Sequence, residues 1–287
     1  MVAIAATVGT GHAEDPLGRW ADAFPAVMQD VRAGRPVVTV VVVPLCSNDQ
    51  IDCGSAVAGR AHDLNTNLYW GAVFGARRFL ERKNSGWERV DLQTRGEPDL
   101  GSAGQPALDD GTLQRAVYRR RADGAAWRVE APVEQLLVLE AVHGGFIDVA
   151  VDRFWSLATG GGRVRFRDGG QLREERVHVA GYAGHNRLMD GKRLPAAPQR
   201  KGTAIPSFVL ACYSESYFAG ALDAAGSRAL VTTRALMAPE GYVVEAAARA
   251  LGDNRGAAEV RNDTVNAYAR WQRLSFGVAS AMFARPR

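Results

Sequence analysis

The chain has 287 residues, of which 47% are hydrophobic and 23% charged, a folded-globular composition that excludes a disordered or collagen-like chain. Lys and Arg number 35 against 31 Asp and Glu, a surplus of only +4, and the basic residues are scattered, so no nucleic-acid partner is expected. No segment approaches the roughly 20 consecutive apolar residues of a membrane-crossing helix, so no membrane span is expected either.

Residues 1–13 carry no Lys, Arg, Asp or Glu, include the apolar run Val2-Ala3-Ile4-Ala5-Ala6, and end in Gly11-His12-Ala13 before Glu14-Asp15. This reads as the remnant of a secretory signal with Ala13 at the cleavage position. A single domain over 14–287 and a periplasmic or secreted location are the matching expectations. After Pro36, the run Val37-Val38-Thr39-Val40-Val41-Val42-Val43 is entirely β-branched, the pattern of a strand buried on both faces, and it is expected at the centre of a sheet. The polar loop that follows lies between Cys46 and Cys53, a candidate disulfide in an oxidising compartment. The third cysteine, Cys212, is then left over: either a small buried hydrophobe or a reactive thiol.

Segment 68–83 places Leu68, Ala72, Val73, Ala76, Phe79 and Leu80 at helical spacing, with Asn67 as cap and Asn84-Ser85-Gly86 as stop. A second strand is expected over 87–92 and an exposed excursion rich in Gly, Pro and Asp over 95–111. A helix is expected around 112–121, ending in Arg119-Arg120-Arg121, which reads as a solvated face. Segments 133–142 and 146–157 read as helices parted at Gly144-Gly145, and 163–166 as a strand entering a turn at Asp168-Gly169-Gly170. Three short apolar runs follow, 177–183, 205–211 and 229–233, stopping respectively at Gly184-His185-Asn186, at Cys212-Tyr213-Ser214, and before Met237-Ala238-Pro239-Glu240. Helices are expected over 240–251 and 259–283. Strands alternating with helices indicate an α/β three-layer sandwich around a mostly parallel sheet.

In such a sheet, ligands collect beyond the carboxyl ends of the strands. A thiol titrates near pH 8.5 when free, and an imidazole or a helix start beside it stabilises the nucleophilic thiolate. Cys212 and His185 end consecutive apolar runs and are the expected nucleophile and general base. The two segments, Val179-Ala180-Gly181-Tyr182-Ala183-Gly184-His185 and Phe208-Val209-Leu210-Ala211-Cys212, resemble the signature of the caspase-like cysteine peptidases of clan CD, which include the bacterial CHAT domains. That resemblance implies a caspase-like fold, a Cys-His dyad, and a peptide or amide substrate. The family has Gly directly after its His, whereas here Gly184 precedes His185 and Asn186 follows it. Oxyanion donors would then be the Asn186 and Cys212 backbone amides, with the Asn186 side chain as a further donor. The segments Asn67-Leu68-Tyr69-Trp70-Gly71, 184–190 and 232–242 also resemble a family of secreted bacterial proteins whose activity is not established, and which keeps a Cys where Cys46 stands.

Asp190 and Glu240 are candidates to orient His185, or are a helix cap and a surface group. Asn48 and Asp49 either contact substrate or build a turn. Ser214 reads as the cap of the next helix, and His62, His143 and His178 show no partner pattern. The polar stretch 195–202 is a candidate cleavable loop. No His-Glu-x-x-His or Cys-x-x-Cys spacing, no complete phosphate loop, no Gly-x-Gly-x-x-Gly and no Gly-x-Ser-x-Gly is present, so neither a metal nor a cofactor is expected. The alternative to a cysteine hydrolase is a non-catalytic envelope protein that binds a ligand or partner at the same strand-end cleft.

Overall fold

The β-branched run occupies the middle of the sheet. In the computed structural model, which describes residues 18–96, 108–197 and 202–286, strand β1 (Val37–Pro44) is buried along its whole length. It pairs in parallel with β4 (Val133–Val142) on one side and β7 (Val179–Ala183) on the other. Beyond β7, the parallel strands β8 (Ser207–Leu210) and β9 (Ala229–Val231) complete that edge. Beyond β4, β3 (Thr112–Ala122) and β2 (Glu88–Thr94) are antiparallel. The order β2-β3-β4-β1-β7-β8-β9 makes a seven-stranded, mostly parallel sheet. A separate hairpin, β5 (Arg163–Asp168) and β6 (Gln171–Arg176), turns at Gly169-Gly170, both with positive φ. The signal-like residues 1–13, residues 97–107 of the excursion, and 198–201 of the candidate cleavable loop lie outside the described residues.

Side-chain alternation along β1 explains the layers. Val37, Val41 and Val43 enter one core with α1 (Pro25–Arg32), α5 (Gly241–Gly252) and α6 (Ala257–Gln272). Val38, Val40 and Val42 enter the other with α3 (Ile147–Gly160) and α4 (Gly220–Ala224). Helices therefore cover both faces, and the architecture is an α/β sandwich.

Several predicted elements differ. Segments 112–121 and 133–142 are the strands β3 and β4, not helices. In β4, Leu137 and Leu139 face one core while Leu136 and Val138 face the other, and an unbroken apolar run does not separate a two-faced strand from a buried helix. In β3, Ala116 and Tyr118 alternate with Val117 in the same way. The Arg119-Arg120-Arg121 run is not a uniformly solvated face: the Arg120 side chain is only 9% exposed, pairs with Asp253, and lies 5.6 Å over the Trp87 ring. The helix expected over 68–83 shrinks to α2 (Ala76–Leu80). Its first half coils on itself at two glycines, since a Cβ on Gly71 would stand 2.3 Å from the Leu64 carbonyl oxygen and one on Gly75 2.4 Å from the Trp70 carbonyl carbon. The helix expected over 259–283 is two: α6 stops at Arg273, in the left-handed region (φ 55°), and α7 (Phe276–Ala281) starts under a Ser275 hydroxyl that accepts from the Val278 amide.

Candidate active site

Strands β7 and β8 run side by side, with Ala183 opposite Leu210, so the residues just past them emerge at one rim. His185 follows β7 and Cys212 follows β8 at the same offset. Gly184 lets the end of β7 lie close against the end of β1. A Cβ there would meet the Pro44 ring at 2.5 Å, and its amide donates to the Leu210 carbonyl at 3.2 Å.

Asn186 ties the two loops together. It is fully buried, its Nδ2 donates to the Cys212 carbonyl at 2.6 Å, and its Oδ1 accepts from the Leu188 amide at 3.1 Å, capping the 3-10 turn Arg187–Asp190. The side chain therefore holds the site together, and one of its two donors is engaged there rather than offered to an oxyanion. Among the described residues, the backbone N–H groups of Asn186 and Cys212 meet no hydrogen-bond acceptor.

The His185 ring is set by that same turn. Its Nε2 lies 2.6 Å from Asp190 Oδ2, and its carbonyl accepts the Tyr182 hydroxyl at 2.7 Å. The His185 side chain is 11% exposed and that of Asp190 40%. Asp190 also faces Arg187 at 3.5 Å, which is itself paired with Asp148 at 2.9 Å. Nδ1 of His185 has no hydrogen-bond partner among the described residues.

Cys212 is the one free cysteine and is partly exposed. Its sulfur donates to the Met237 carbonyl at 3.7 Å and accepts from the Met237 amide at 3.5 Å. No hydrogen bond joins it to the His185 ring among the described residues. The chain leaves Cys212 through Tyr213, a non-glycine residue at φ 51°, a conformation that costs energy and recurs at functional turns. Burial raises the pKa of the Tyr69 and Tyr268 phenols, and Coulombic interactions with Glu240 and Cys212 raise each further.

Other sequence candidates fall into place less directly. Ser214 is fully buried. It does not cap the π-helical turn that follows: its hydroxyl donates to the Val209 carbonyl at 2.7 Å and accepts from the Thr233 amide at 2.9 Å, fastening β8 to the end of β9. Glu240 does not reach His185. It precedes α5, accepts from Gln272 at 3.3 Å, and has its pKa raised by burial. Asn48 builds a turn, accepting from the Cys53 amide at 3.1 Å and donating to the Ser55 carbonyl at 2.9 Å. Asp49 lines a cleft of about 420 Å³ together with Gln50, Asp148, Arg187 and Asp190.

Cys46 and Cys53 are joined as a disulfide, with Cα atoms 6.2 Å apart. Asn67, expected to cap a helix, instead clasps this loop: its Oδ1 accepts from the Cys46 amide at 3.0 Å and its Nδ2 donates to the Cys46 carbonyl at 2.8 Å. His62 and His143 have found each other, their rings stacked at 6.0 Å. The sequence reading gave no role at the site to Tyr182, Tyr69 or Met237. A signal for Tyr69 was present in the Asn67-to-Gly71 segment, while Met237 acts through its backbone and leaves no signature.

Among the described residues, no three His, Cys, Asp or Glu side chains gather as a metal site, and no helix is long and apolar enough to cross a membrane. Comparison with family models, with curated proteins and with solved structures finds no match.

Proposed function

We propose that this protein is an exported cysteine hydrolase of the peptidase or amidase type, caspase-like in arrangement, with Cys212 as nucleophile and His185 as general base and acid. The observation that carries this reading is the placement of His185 and Cys212 at neighbouring ends of β7 and β8, with Asn186 bridging the two loops and Asp190 holding the imidazole. Asp190 orients the ring and balances the charge it acquires when it takes the thiol proton. The thiolate adds to the substrate carbonyl carbon, forming the S–C bond. The free N–H groups of Cys212 and Asn186 are the donors offered to the resulting oxyanion. As the tetrahedral adduct collapses, the C–N bond breaks and the imidazolium gives its proton to the leaving amine. Water, deprotonated by the same ring, then cleaves the thioester to release the acid and restore the thiol. The reading requires the sulfur to exchange its Met237 contacts for the His185 ring when substrate arrives, as catalytic contacts commonly tighten on binding. The Cys46–Cys53 disulfide supports an oxidising, exported setting.

A second reading, a non-catalytic envelope protein that binds a ligand at this rim, is favoured by the Met237 backbone gripping the sulfur from both sides. Alkylation at neutral pH by a substrate-like peptidyl chloromethyl ketone, which fills the site as substrate does, separates the two. The hydrolase reading expects His185→Ala to slow alkylation of Cys212 by about tenfold or more, because a neighbouring imidazole is what raises the thiolate fraction. Equal rates in wild type and variant would favour the binding protein.

A further inference from the structure

We infer that the substrate of this site carries an apolar side chain, aliphatic or aromatic, on the residue adjoining the bond that is cut. The inference rests on the hydrolase reading above and specifies its substrate class. The loops that follow β7, β8 and β9 bring exposed carbon-rich side chains to the rim. Met189 is 38% exposed, Tyr213 38%, Tyr217 41% and Leu236 62%. Met189 lies on the turn between His185 and Asp190. Tyr213 directly follows Cys212 and donates its amide to the Ala235 carbonyl at 3.1 Å. Leu236 directly precedes Met237, whose backbone holds the sulfur. Single exposed apolar residues are ordinary; these four each stand within five positions of His185, Cys212 or Met237, on the segments that carry the imidazole and hold the thiol, where an apolar substrate group would be covered.

Three of the charged side chains on these segments are already engaged. Arg234 pairs with Glu215 at 2.6 Å, and Arg187 pairs with Asp148 and Asp190. Glu240, the carboxylate that would otherwise draw a basic side chain, is 9% exposed and accepts from Gln272. Burial also favours its neutral form. A charged substrate side chain would therefore gain no unpaired opposite charge from Arg234, Arg187 or Glu240, whereas an apolar one needs none.

The test uses three peptidyl acyloxymethyl ketones, identical except for Leu, Arg or Asp beside the reactive ketone. Cys212 displaces the acyloxy group: an S–C bond forms, the C–O bond breaks, the carboxylate departs with the bonding pair, and the thiol proton passes to His185. Labelling of the full chain is followed by intact mass. The Leu probe is expected to react at least about tenfold faster than the other two, the discrimination that a small apolar contact typically provides. Leu236→Ser, at an exposed position, is expected to narrow that gap severalfold. An Arg or Asp probe that matches or outpaces the Leu probe, or a gap that Leu236→Ser leaves unchanged, overturns the inference while the hydrolase reading stands. No labelling by any probe, with iodoacetamide still alkylating Cys212, overturns both.

Discussion

Strand β7 is bracketed by two histidines, each beside an aspartate, and the two pairs could hardly be more differently placed. At the amino end, His178 is 2% exposed. Its Nδ1 accepts from the Val38 amide at 3.1 Å, which puts the ring proton on Nε2, and Nε2 lies 3.2 Å from Asp30. Asp30, equally buried, also receives Arg35 at 3.1 Å and Arg176 at 3.5 Å. Burial lowers the His178 pKa more than Asp30 lifts it, so the ring is held neutral with both nitrogens engaged. A cavity of about 480 Å³ opens beside it, yet no ring nitrogen is left to act there. At the carboxyl end, His185 engages only Nε2, and its aspartate stands partly in water. A histidine-carboxylate pair is therefore no mark of catalysis by itself. What distinguishes the second pair is a spare ring nitrogen at the rim where Cys212 also follows its strand.

The largest expected effect comes from deleting each ring. His185→Ala should lower turnover of an apolar peptide substrate by on the order of 10⁶-fold, as loss of a triad-type base does, while leaving the urea unfolding midpoint close to wild type. His178→Ala should do the reverse, removing about 2–3 kcal/mol of stability by leaving the Val38 amide without an acceptor in the core and taking one of three partners from Asp30, with turnover per folded molecule changed less than about threefold. Paired urea melts and steady-state rates measure both. If folded His178→Ala is inactive, the distinction between the two ends breaks. Replacing the aspartates sharpens it further. Asp190→Asn should reduce kcat by about 10- to 100-fold, less than a buried triad aspartate would, because water already screens a carboxylate that is 40% exposed. Asp30→Asn should instead cost about 1.5–3 kcal/mol through weakened charge-assisted bonds to His178, Arg35 and Arg176, again read in the urea midpoint.

The same contrast explains what was legible in the sequence. β1 was readable as an unbroken β-branched run and β7–β9 as short apolar runs ended by polar residues, and their ends delivered the candidates Cys212, His185 and, through local spacing, Asp190. The strand β4 was not, since Leu136-Leu137-Val138-Leu139 is apolar without period and serves a sheet buried on both sides as well as it would a core helix. Residues 68–75 failed for another reason: their helical spacing is real, but Gly71 and Gly75 let the chain fold back onto its own backbone at Leu64 and Trp70, a local turn that apolar spacing alone does not encode. His178 and Asp30, 148 positions apart, had no partner pattern to find. The sequence assigns Asn186 to the oxyanion and Ser214 to a helix cap, but the tasks of their side chains, bonding the Cys212 carbonyl and joining β8 to Thr233, depend on chain segments meeting from far away.

The smallest effect is also the cleanest separation of the two rings, because it needs no substrate. The folded chain holds His178 with its pKa below the ordinary histidine value near 6.5. Below about pH 6.5 the unfolded chain therefore takes up a proton here that the folded chain refuses, and unfolding becomes easier as acid is added. The contribution is fully present above pH 6.5 and declines as the pH falls through the folded value, at no more than about 1.4 kcal/mol per pH unit. His143, whose pKa burial and the His62 charge also lower, adds to the slope in the same direction, so the informative quantity is the difference between wild type and His178→Gln. Urea melts from pH 7.5 down to 5 should show a shallower loss of stability in the variant. An equal slope in both would mean that His178 accepts its proton as readily folded as unfolded, and the amino-end pair would no longer be the closed counterpart of the one at the rim.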